Sequence, residues 1–319
     1  MVVWTELRFK FARVAVPAIL VSSLLVTGSG PASATKPGGG GGSGSTTTGN
    51  DVSYPQCGTT LPGAPAFGIV GVNDGLANTL NPCLGPSSTY PSYAQSELYW
   101  AVASSTGVTT QPKASLYVNT ADPGNIYNGT LIADWPTSSL SIDPYGSCNT
   151  TTVTTSTGAT ATVGENSPAC AWQYGYNRAA QDIAWLYSAA TAIDSHESSV
   201  NVSNSASSYT WWLDVETANT WQSGTSGQAM NVAVLQGMDH EISVGPIAVK
   251  VGAYSTSSQW NQITGGTTST SDSLYGIPNW IPGARTLSGA RSNCGLTSFT
   301  GGKVSVTQWF SKPDGDFAC

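Results

Sequence analysis

Two acids, Asp214 and Glu216, interrupt an apolar stretch that reads WWLDVET over residues 211–217. Side chains two positions apart in a β-strand project from the same face, so these carboxyl groups are expected to lie side by side, about 6 to 7 Å apart at the backbone. Neighbouring carboxyl groups do not ionise independently, which provides an acid and a base at one pH, as glycoside cleavage requires. The pattern predicts a catalytic pair. A buried structural pair is the alternative, although only one Lys or Arg lies between residues 178 and 285.

Six further side chains are candidates for binding a substrate beside this pair. An acid at the start of the folded chain is more often a helix cap or turn residue, and a single Trp in a strand is more often part of the core. Eleven Trp residues in a polar chain nevertheless suit a site where sugar rings stack on aromatic faces. The predicted substrate-binding residues are Asp51, Tyr254, Trp280, Gln308, Trp309 and Asp314.

Motifs for other chemistries are missing from the sequence. His196 and His240 lie in or beside helical patterns with polar neighbours, which indicates surface residues rather than metal ligands or members of a triad. The chain has no GxSxG, no phosphate-binding loop and no HExxH motif, and GVNDG at residues 71–75 lacks the spacing of a dinucleotide-binding loop. We therefore expect no metal ion and no organic cofactor.

The first residues predict export. Three bases precede an apolar run, and Ala-Ser-Ala at residues 32–34 has the small side chains of a cleavage site. Residues 1–34 are a predicted secretory signal peptide, too short and wrongly flanked for a membrane span. Residues 35–50, rich in Gly, Ser and Thr, are predicted to be a flexible linker, and residues 51–319 to form one domain.

Six cysteines all lie in the predicted exported part. An even number in an oxidising compartment indicates three disulfides, and six cysteines allow fifteen pairings. No CxxC spacing occurs, so a zinc cluster is not expected. Pairing in sequence order is favoured because each bond then closes a short local loop. The favoured pairs are Cys57–Cys83, Cys148–Cys170 and Cys294–Cys319.

The charge of the chain limits its partners. Charged residues make up only 9% of the sequence, and the formal net charge is −7. Removing the predicted signal peptide takes away three bases and one acid, which leaves eight bases against seventeen acids. Without a basic patch, neither nucleic acid nor an anionic membrane is an expected partner. We expect a monomer that is extracellular or associated with the cell wall.

Apolar runs alternate with helical patterns along the predicted domain. Most strand-like runs are continuously apolar, which is typical of parallel strands covered on both faces. Helical patterns at residues 93–105, 171–193 and 227–243 lie between the earlier strands, and such patterns fade after Tyr254. This order predicts an α/β fold, an irregular TIM-like βα barrel, with residues 120–170 as a disulfide-pinned excursion above it. The predicted strands are residues 67–72, 114–118, 209–215, 247–254, 276–281 and 303–309, with a short one at 50–53.

The order of these motifs resembles that of glycoside hydrolase family 25 lysozymes. It is closer still to secreted actinobacterial proteins that have a glycoside-hydrolase-like barrel of that kind. The resemblance covers most of residues 51–319 and implies an irregular βα barrel, with five βα units followed by strands without full helices. The motifs that carry it are Asp-Val-Ser (51–53), FGIVGVNDG (67–75), the Asp-x-Glu strand end, VGAYST (251–256), NWIPG (279–283), TQW (307–309) and Asp-x-Asp (314–316).

The resemblance implies a role for each acid. Glu216 matches the catalytic acid of the family. Asp214 matches its partner, which positions or stabilises the acetamido group of the substrate or acts as nucleophile. Asp51 matches the acid of the first strand. The family has Asp-x-Asn where this chain has Asp-Gly-Asp, so Asp314 is the candidate for the last acid and Asp316 is the alternative.

The second strand departs from the family pattern. Lysozymes of this family usually carry Lys-Ala-(Thr/Ser)-x-Gly where this chain has Gly-Val-Asn-Asp-Gly at residues 71–75. Loss of the lysine implies an altered substrate or a site that is no longer catalytic. The first hypothesis is an N-acetylmuramidase-like glycosidase acting on β-linked amino-sugar glycans such as peptidoglycan. The second is a non-catalytic barrel that binds the cell wall or another glycan. A structural surface protein is a third, but it leaves the acid pair unexplained.

Overall fold

The computed structural model describes residues 47–75, 77–123, 135–154, 158–244, 250–266 and 269–319. The predicted signal peptide and most of the predicted linker lie outside these residues. The first strand begins at Thr48 and so includes the last three residues of the predicted linker segment.

Eight strands form a closed barrel, in the order β1, β2, β3, β6, β7, β8, β9 and β10. Neighbouring strands from β1 to β9 run parallel, whereas β10 is antiparallel to both β9 and β1. The sequence prediction of an α/β barrel is confirmed at this level, but β10 was not predicted. The barrel strands are β1 (Thr48–Val52), β2 (Gly68–Gly71), β3 (Ala114–Asn119), β6 (Thr210–Asp214), β7 (Lys250–Tyr254), β8 (Asn279–Ala284), β9 (Val304–Trp309) and β10 (Gly315–Ala318).

Within the described residues, one α-helix lies between each pair of consecutive parallel barrel strands from β2 to β9, whereas β1 and β2 are joined through the short 3-10 helix Tyr54–Gln56. The longest helix begins at a capping signal, because the Ser167 side chain accepts from the backbone N–H of Cys170 and proline occupies the first turn. The last two helices have eight and seven residues, which accounts for the weak helical signal after Tyr254. The helices are α1 (Glu97–Ser104), α2 (Pro168–His196), α3 (Gly224–Ser243), α4 (Ser257–Thr264) and α5 (Leu287–Asn293).

Alternation along β6 sends its side chains to two different cores. Trp211 and Leu213 belong to the large cluster shared by strands and helices, while Trp212 belongs to a smaller cluster that contains no helical residue. Because every second side chain shares a face, Asp214 projects to the same interior as Trp212. The interior cluster consists of Ala66, Phe67, Ile69, Trp212, Trp280, Val306 and Ala318.

The helices α2 and α3 cross with their backbones almost in contact. A Cβ atom on Gly175 would lie 1.9 Å from the backbone oxygen of Val234, and one on Gly237 would lie 2.0 Å from that of Trp172. Any larger residue at either position must push the helices apart, so glycine is required at both.

Three disulfides join the cysteines in sequence order, which confirms the favoured pairs Cys57–Cys83, Cys148–Cys170 and Cys294–Cys319. The pair Cys148–Cys170 spans the hairpin of β4 (Thr150–Thr154) and β5 (Thr160–Gly164), within the predicted excursion. Three disulfides indicate folding in an oxidising environment. None of the helices in the described ranges has both the length and the apolar character that crossing a bilayer requires.

Candidate active site

A cavity of about 300 Å³ lies at the carboxyl ends of the parallel strands. Active sites of parallel barrels occupy this end, because the loops that follow the strands surround it. The cavity is lined by both members of the predicted catalytic pair and by five of the six predicted substrate-binding residues. These seven residues are Asp51, Asp214, Glu216, Tyr254, Trp280, Gln308 and Asp314.

The two acids of the opening motif differ in their surroundings. Asp214 ends β6 and is only 7% exposed, whereas Glu216 is partly exposed. Burial raises the pKa of Asp214 well above its ordinary range, and the negative charges of Glu216 and Asp51 raise it further. Burial also raises the pKa of Glu216, while a hydrogen bond from Gln259 lowers it. The pair therefore retains a proton under conditions in which isolated carboxyl groups have lost theirs.

A second carboxyl pair lies beside the first, formed by Asp51 of β1 and Asp316 of β10. Their side chains are hydrogen-bonded to each other. Gln308 Nε2 donates to Asp51 Oδ2 at 2.9 Å, and Trp280 Nε1 donates to Asp316 Oδ1 at 2.9 Å. Burial is the main reason that the pKa of Asp51 rises to about 6 and that of Asp316 well above its ordinary range. The hydrogen bond between them raises the pKa of Asp316 and lowers that of Asp51, which favours Asp316 as the donor and Asp51 as the acceptor.

The structure gives the two candidates for the last acid different places. Asp314 lines the cavity, and its backbone oxygen accepts from Asn50 Nδ2 at 3.0 Å and from the backbone nitrogen of Asp51 at 3.3 Å. Asp316 is fully buried. Asp314 is therefore the one placed to meet a molecule in the cavity, and Asp316 acts on Asp51.

Aromatic rings surround Trp280 inside the barrel. Its ring centroid lies 4.4 Å from that of Tyr254, 5.9 Å from that of Trp212 and 6.1 Å from that of Tyr117. Trp280 is only 2% exposed, so it supports the cavity more than it offers a free face. Tyr254 donates through its hydroxyl to Gln308 Oε1 at 2.9 Å. Tyr254, Gln308 and the second carboxyl pair are thereby held in one network.

Trp309 is not among the described residues that line the cavity. Successive side chains of β9 face opposite sides, so Gln308 points to the cavity and Trp309 points away from it. The ring of Trp309 covers Gly315, where a Cβ atom would lie 2.1 Å from it. Trp309 therefore packs on Gly315 and does not line the cavity.

Several lining residues were missed from the sequence. Tyr117 and Asn119 are the alternate residues at the end of β3, so their place in a parallel strand could have revealed them. The others follow β1 or lie in residues 71–75, the segment whose sequence differs from the lysozyme pattern. The missed lining residues are Ser53, Tyr54, Pro55, Gln56, Gly75, Tyr117 and Asn119.

The only clustered set of three potential metal ligands among the described residues is Cys57, Cys83 and Glu97, and its two sulfur atoms form a disulfide. It does not line the cavity. His196 is exposed at the end of α2, and His240 lies against Trp172 with ring centroids 5.3 Å apart. Neither histidine lines the cavity.

Comparison of the chain with protein-family models, with curated proteins and with solved structures found no match. The resemblance to lysozymes stays a prediction from the sequence. Function is therefore inferred from the geometry and chemistry of the cavity.

Proposed function

We propose that this protein is a secreted glycoside hydrolase that cleaves β-linked amino-sugar polymers, with peptidoglycan as the substrate. The observation that carries the proposal is the pair Asp214–Glu216, two adjacent carboxyl groups with different degrees of burial at one end of a barrel. The described residues that line the cavity include no Lys, Arg or His. A proton held by the pair is therefore available to a substrate instead of being displaced by a basic neighbour.

The proposed reaction begins with Glu216, the more open member of the pair. Its raised pKa favours the protonated form, which donates its proton to the glycosidic oxygen as the bond from that oxygen to the sugar carbon breaks. Positive charge then develops on the sugar ring. Asp214 orients the N-acetyl group or stabilises this charge. Water then adds to the sugar carbon and gives one proton to the Glu216 carboxylate, which restores the acid and completes hydrolysis.

The choice of substrate and compartment rests on several supporting features. We interpret the barrel as an irregular TIM-like βα barrel, supported by its parallel strands with intervening helices. The resemblance to family 25 lysozymes favours an amino-sugar polysaccharide as the partner of a monomeric enzyme. The predicted signal peptide at residues 1–34 and the three disulfides support secretion.

The experiment that tests hydrolysis compares the wild-type protein with Glu216→Gln on dye-labelled cell walls. Glutamine keeps the shape and lacks the acidic proton, so the rate of fragment release should fall about 10²–10⁴-fold. Glu165→Gln, the same substitution at a residue that does not line the cavity, is the matched control and should retain the wild-type rate. A reducing-sugar assay on peptidoglycan and on chitin oligomers identifies the polymer. Equal clearing by Glu216→Gln and wild type would show that Glu216 is not the acid.

A non-catalytic glycan-binding barrel is the second candidate. The absence of the family lysine from residues 71–75 favours it, because that segment contributes Gly75 to the cavity wall instead. Sedimentation with insoluble cell walls, measured together with the release of reducing ends, separates the two functions. Binding without release would establish the module and reject the enzyme.

A further inference from the structure

Asn73 clamps the end of β3, and it belongs to the segment in which the chain departs from the lysozyme motif. It is fully buried. Its Oδ1 accepts from the backbone nitrogen of Asn119 at 2.8 Å, and its Nδ2 donates to the backbone oxygen of Asn119 at 3.1 Å. Turning the Asn73 amide over would set oxygen against oxygen and nitrogen against nitrogen. These two hydrogen bonds fix the orientation of the Asn73 amide, with Oδ1 toward the backbone nitrogen of Asn119.

The side-chain amide of Asn119 lies between Asn73, Gly75 and Asp214. One of its two terminal atoms is 2.9 Å from Asn73 Oδ1 and 3.2 Å from the backbone nitrogen of Gly75. The other terminal atom is 3.0 Å from Asp214 Oδ2. Two orientations of the amide fit this space, and they exchange its nitrogen and oxygen.

Each orientation matches one protonation state of Asp214. With the nitrogen toward Asn73, Asn119 donates to Asn73 Oδ1 but sets that nitrogen against the backbone N–H of Gly75 at 3.2 Å, and its own oxygen faces Asp214 Oδ2. Two oxygens at that separation need a proton between them, which neutral Asp214 supplies. In the turned orientation the nitrogen donates to ionised Asp214 and the oxygen accepts from Gly75, but the oxygen then faces the fixed acceptor of Asn73.

We propose that Asn119 is a positioning residue for Asp214: its amide turns over when Asp214 gains or loses its proton, and Asn73 favours the orientation that accepts a hydrogen bond from neutral Asp214. The other titratable groups that act on Asp214 are Glu216 beside it, Asp51 from β1, Tyr117 from β3 and Tyr254 from β7. All of them are acids or phenols, so none brings a positive charge to Asp214. Neutral Asp214 is consequently favoured, and its proton is distinct from the one that the raised pKa of Glu216 favours on that residue. The inference does not depend on the proposed hydrolysis.

Nuclear magnetic resonance on the unmodified protein tests the orientation directly. With ¹³C-labelled Asp and ¹⁵N-labelled Asn, nuclear Overhauser contacts at acidic pH should place the Asn119 amide protons beside Asn73 and Gly75. As the pH rises, the Asn119 amide should shift with the midpoint of the Asp214 carboxyl signal. The buried amide of Asn279, which donates to Thr300 Oγ1 at 2.8 Å, is the internal control and should not follow it. Amide protons of Asn119 beside Asp214 at acidic pH would overturn the proposal.

A variant tests whether Asn73 favours one orientation of the Asn119 amide over the other. Asn73→Ala removes the fixed oxygen, so Asn119 becomes free to donate to ionised Asp214. The midpoint of the Asp214 signal should fall by about one to two pH units, the size of a hydrogen bond to a charged group. Asn279→Ala removes a buried amide elsewhere and should leave that midpoint unchanged. An unchanged or higher midpoint in folded Asn73→Ala would refute the preference that Asn73 is proposed to impose. If that variant does not fold, the nuclear Overhauser contacts of Asn119 in the unmodified protein decide the orientation. Lack of hydrolytic activity would leave both measurements unaffected.

Discussion

Glu97 is a buried acid behind the cavity wall, and its replacement by Gln measures what burial of a carboxyl group costs this fold. Its side chain is 1% exposed. Asn81 Nδ2 donates to Glu97 Oε2 at 2.7 Å and to the backbone oxygen of Gly71 at 2.7 Å, so the acid ties the start of α1 to the end of β2. The other carboxyl oxygen has no hydrogen-bond partner among the described residues. Burial raises the pKa of Glu97 from 4.5 to about 8, although the hydrogen bond from Asn81 opposes the rise.

The direction of the pH dependence follows from this raised pKa. Between the two values the folded protein binds a proton that the unfolded chain has lost, so the free energy of unfolding decreases as the pH rises through that window. Glutamine imitates the neutral carboxyl group and does not titrate. Glu97→Gln should therefore match wild type near pH 4, exceed it by roughly 3 kcal/mol at pH 7, and exceed it by on the order of 5 kcal/mol at pH 9.

Urea unfolding of both proteins at pH 4, 7 and 9, followed by Trp fluorescence with the disulfides intact, measures this difference. Glu197→Gln is the control with the opposite sign. Hydrogen bonds from Ser199 lower the pKa of Glu197, so wild type should gain stability over that variant as the pH rises through the acidic range. A difference between Glu97→Gln and wild type that stays constant from pH 4 to pH 9 would refute the burial argument.

Three other substitutions have defined outcomes. Asp214→Asn imitates the neutral acid, so thermal melting should be unchanged or higher while cell-wall hydrolysis falls; a melting temperature lower by several degrees with full activity would make the pair a scaffold. Asp316→Asn can still donate to Asp51, so melting temperature and hydrolysis should stay near wild type, and a large loss of either would contradict the shared proton. Gly237→Ala should cost about 1–3 kcal/mol in urea unfolding because its Cβ would lie 2.0 Å from a backbone oxygen, whereas Gly63→Ala, with nothing within 4 Å, should cost little.

The parts of the fold that were predicted correctly follow from local patterns. The apolar runs around Trp212 and Ile69 belong to strands buried on both faces. Such strands have a continuously apolar sequence at any position in a parallel barrel, so they can be predicted without knowing their neighbours. The spacing of Asp214 and Glu216 was enough to predict that both acids line the cavity, although β6 ends at Asp214 and Glu216 lies just beyond the strand. The disulfide pairs were also accessible, because each joins cysteines close in sequence.

The parts that were missed depend on contacts between distant segments. The strand β10 has four residues, Gly315–Ala318, and an acid in its middle, so its own propensity is weak and its pairing with β1 and β9 defines it. The role of Asp316 depends on its hydrogen bond to Asp51, which lies more than two hundred residues earlier in the chain. The proposed role of Asn119 depends in the same way on Asn73, which follows the neighbouring strand β2. No local pattern contains this information.

Several acids lie together in the cavity of this barrel because protonation, instead of pairing with Lys or Arg, reduces their negative charge. The raised pKa of Asp316 favours its neutral form, which donates a hydrogen bond to Asp51 and limits the negative charge of the second pair. Burial and the charges around it raise the pKa of Asp214, and burial also raises the pKa of Glu216, the more exposed member of the first pair. A lysine in the wall would lower the pKa of these carboxyl groups, and the described residues that line the cavity include no Lys, Arg or His. Burial, neighbouring acids and the amide of Asn119 therefore control the protons of these carboxyl groups.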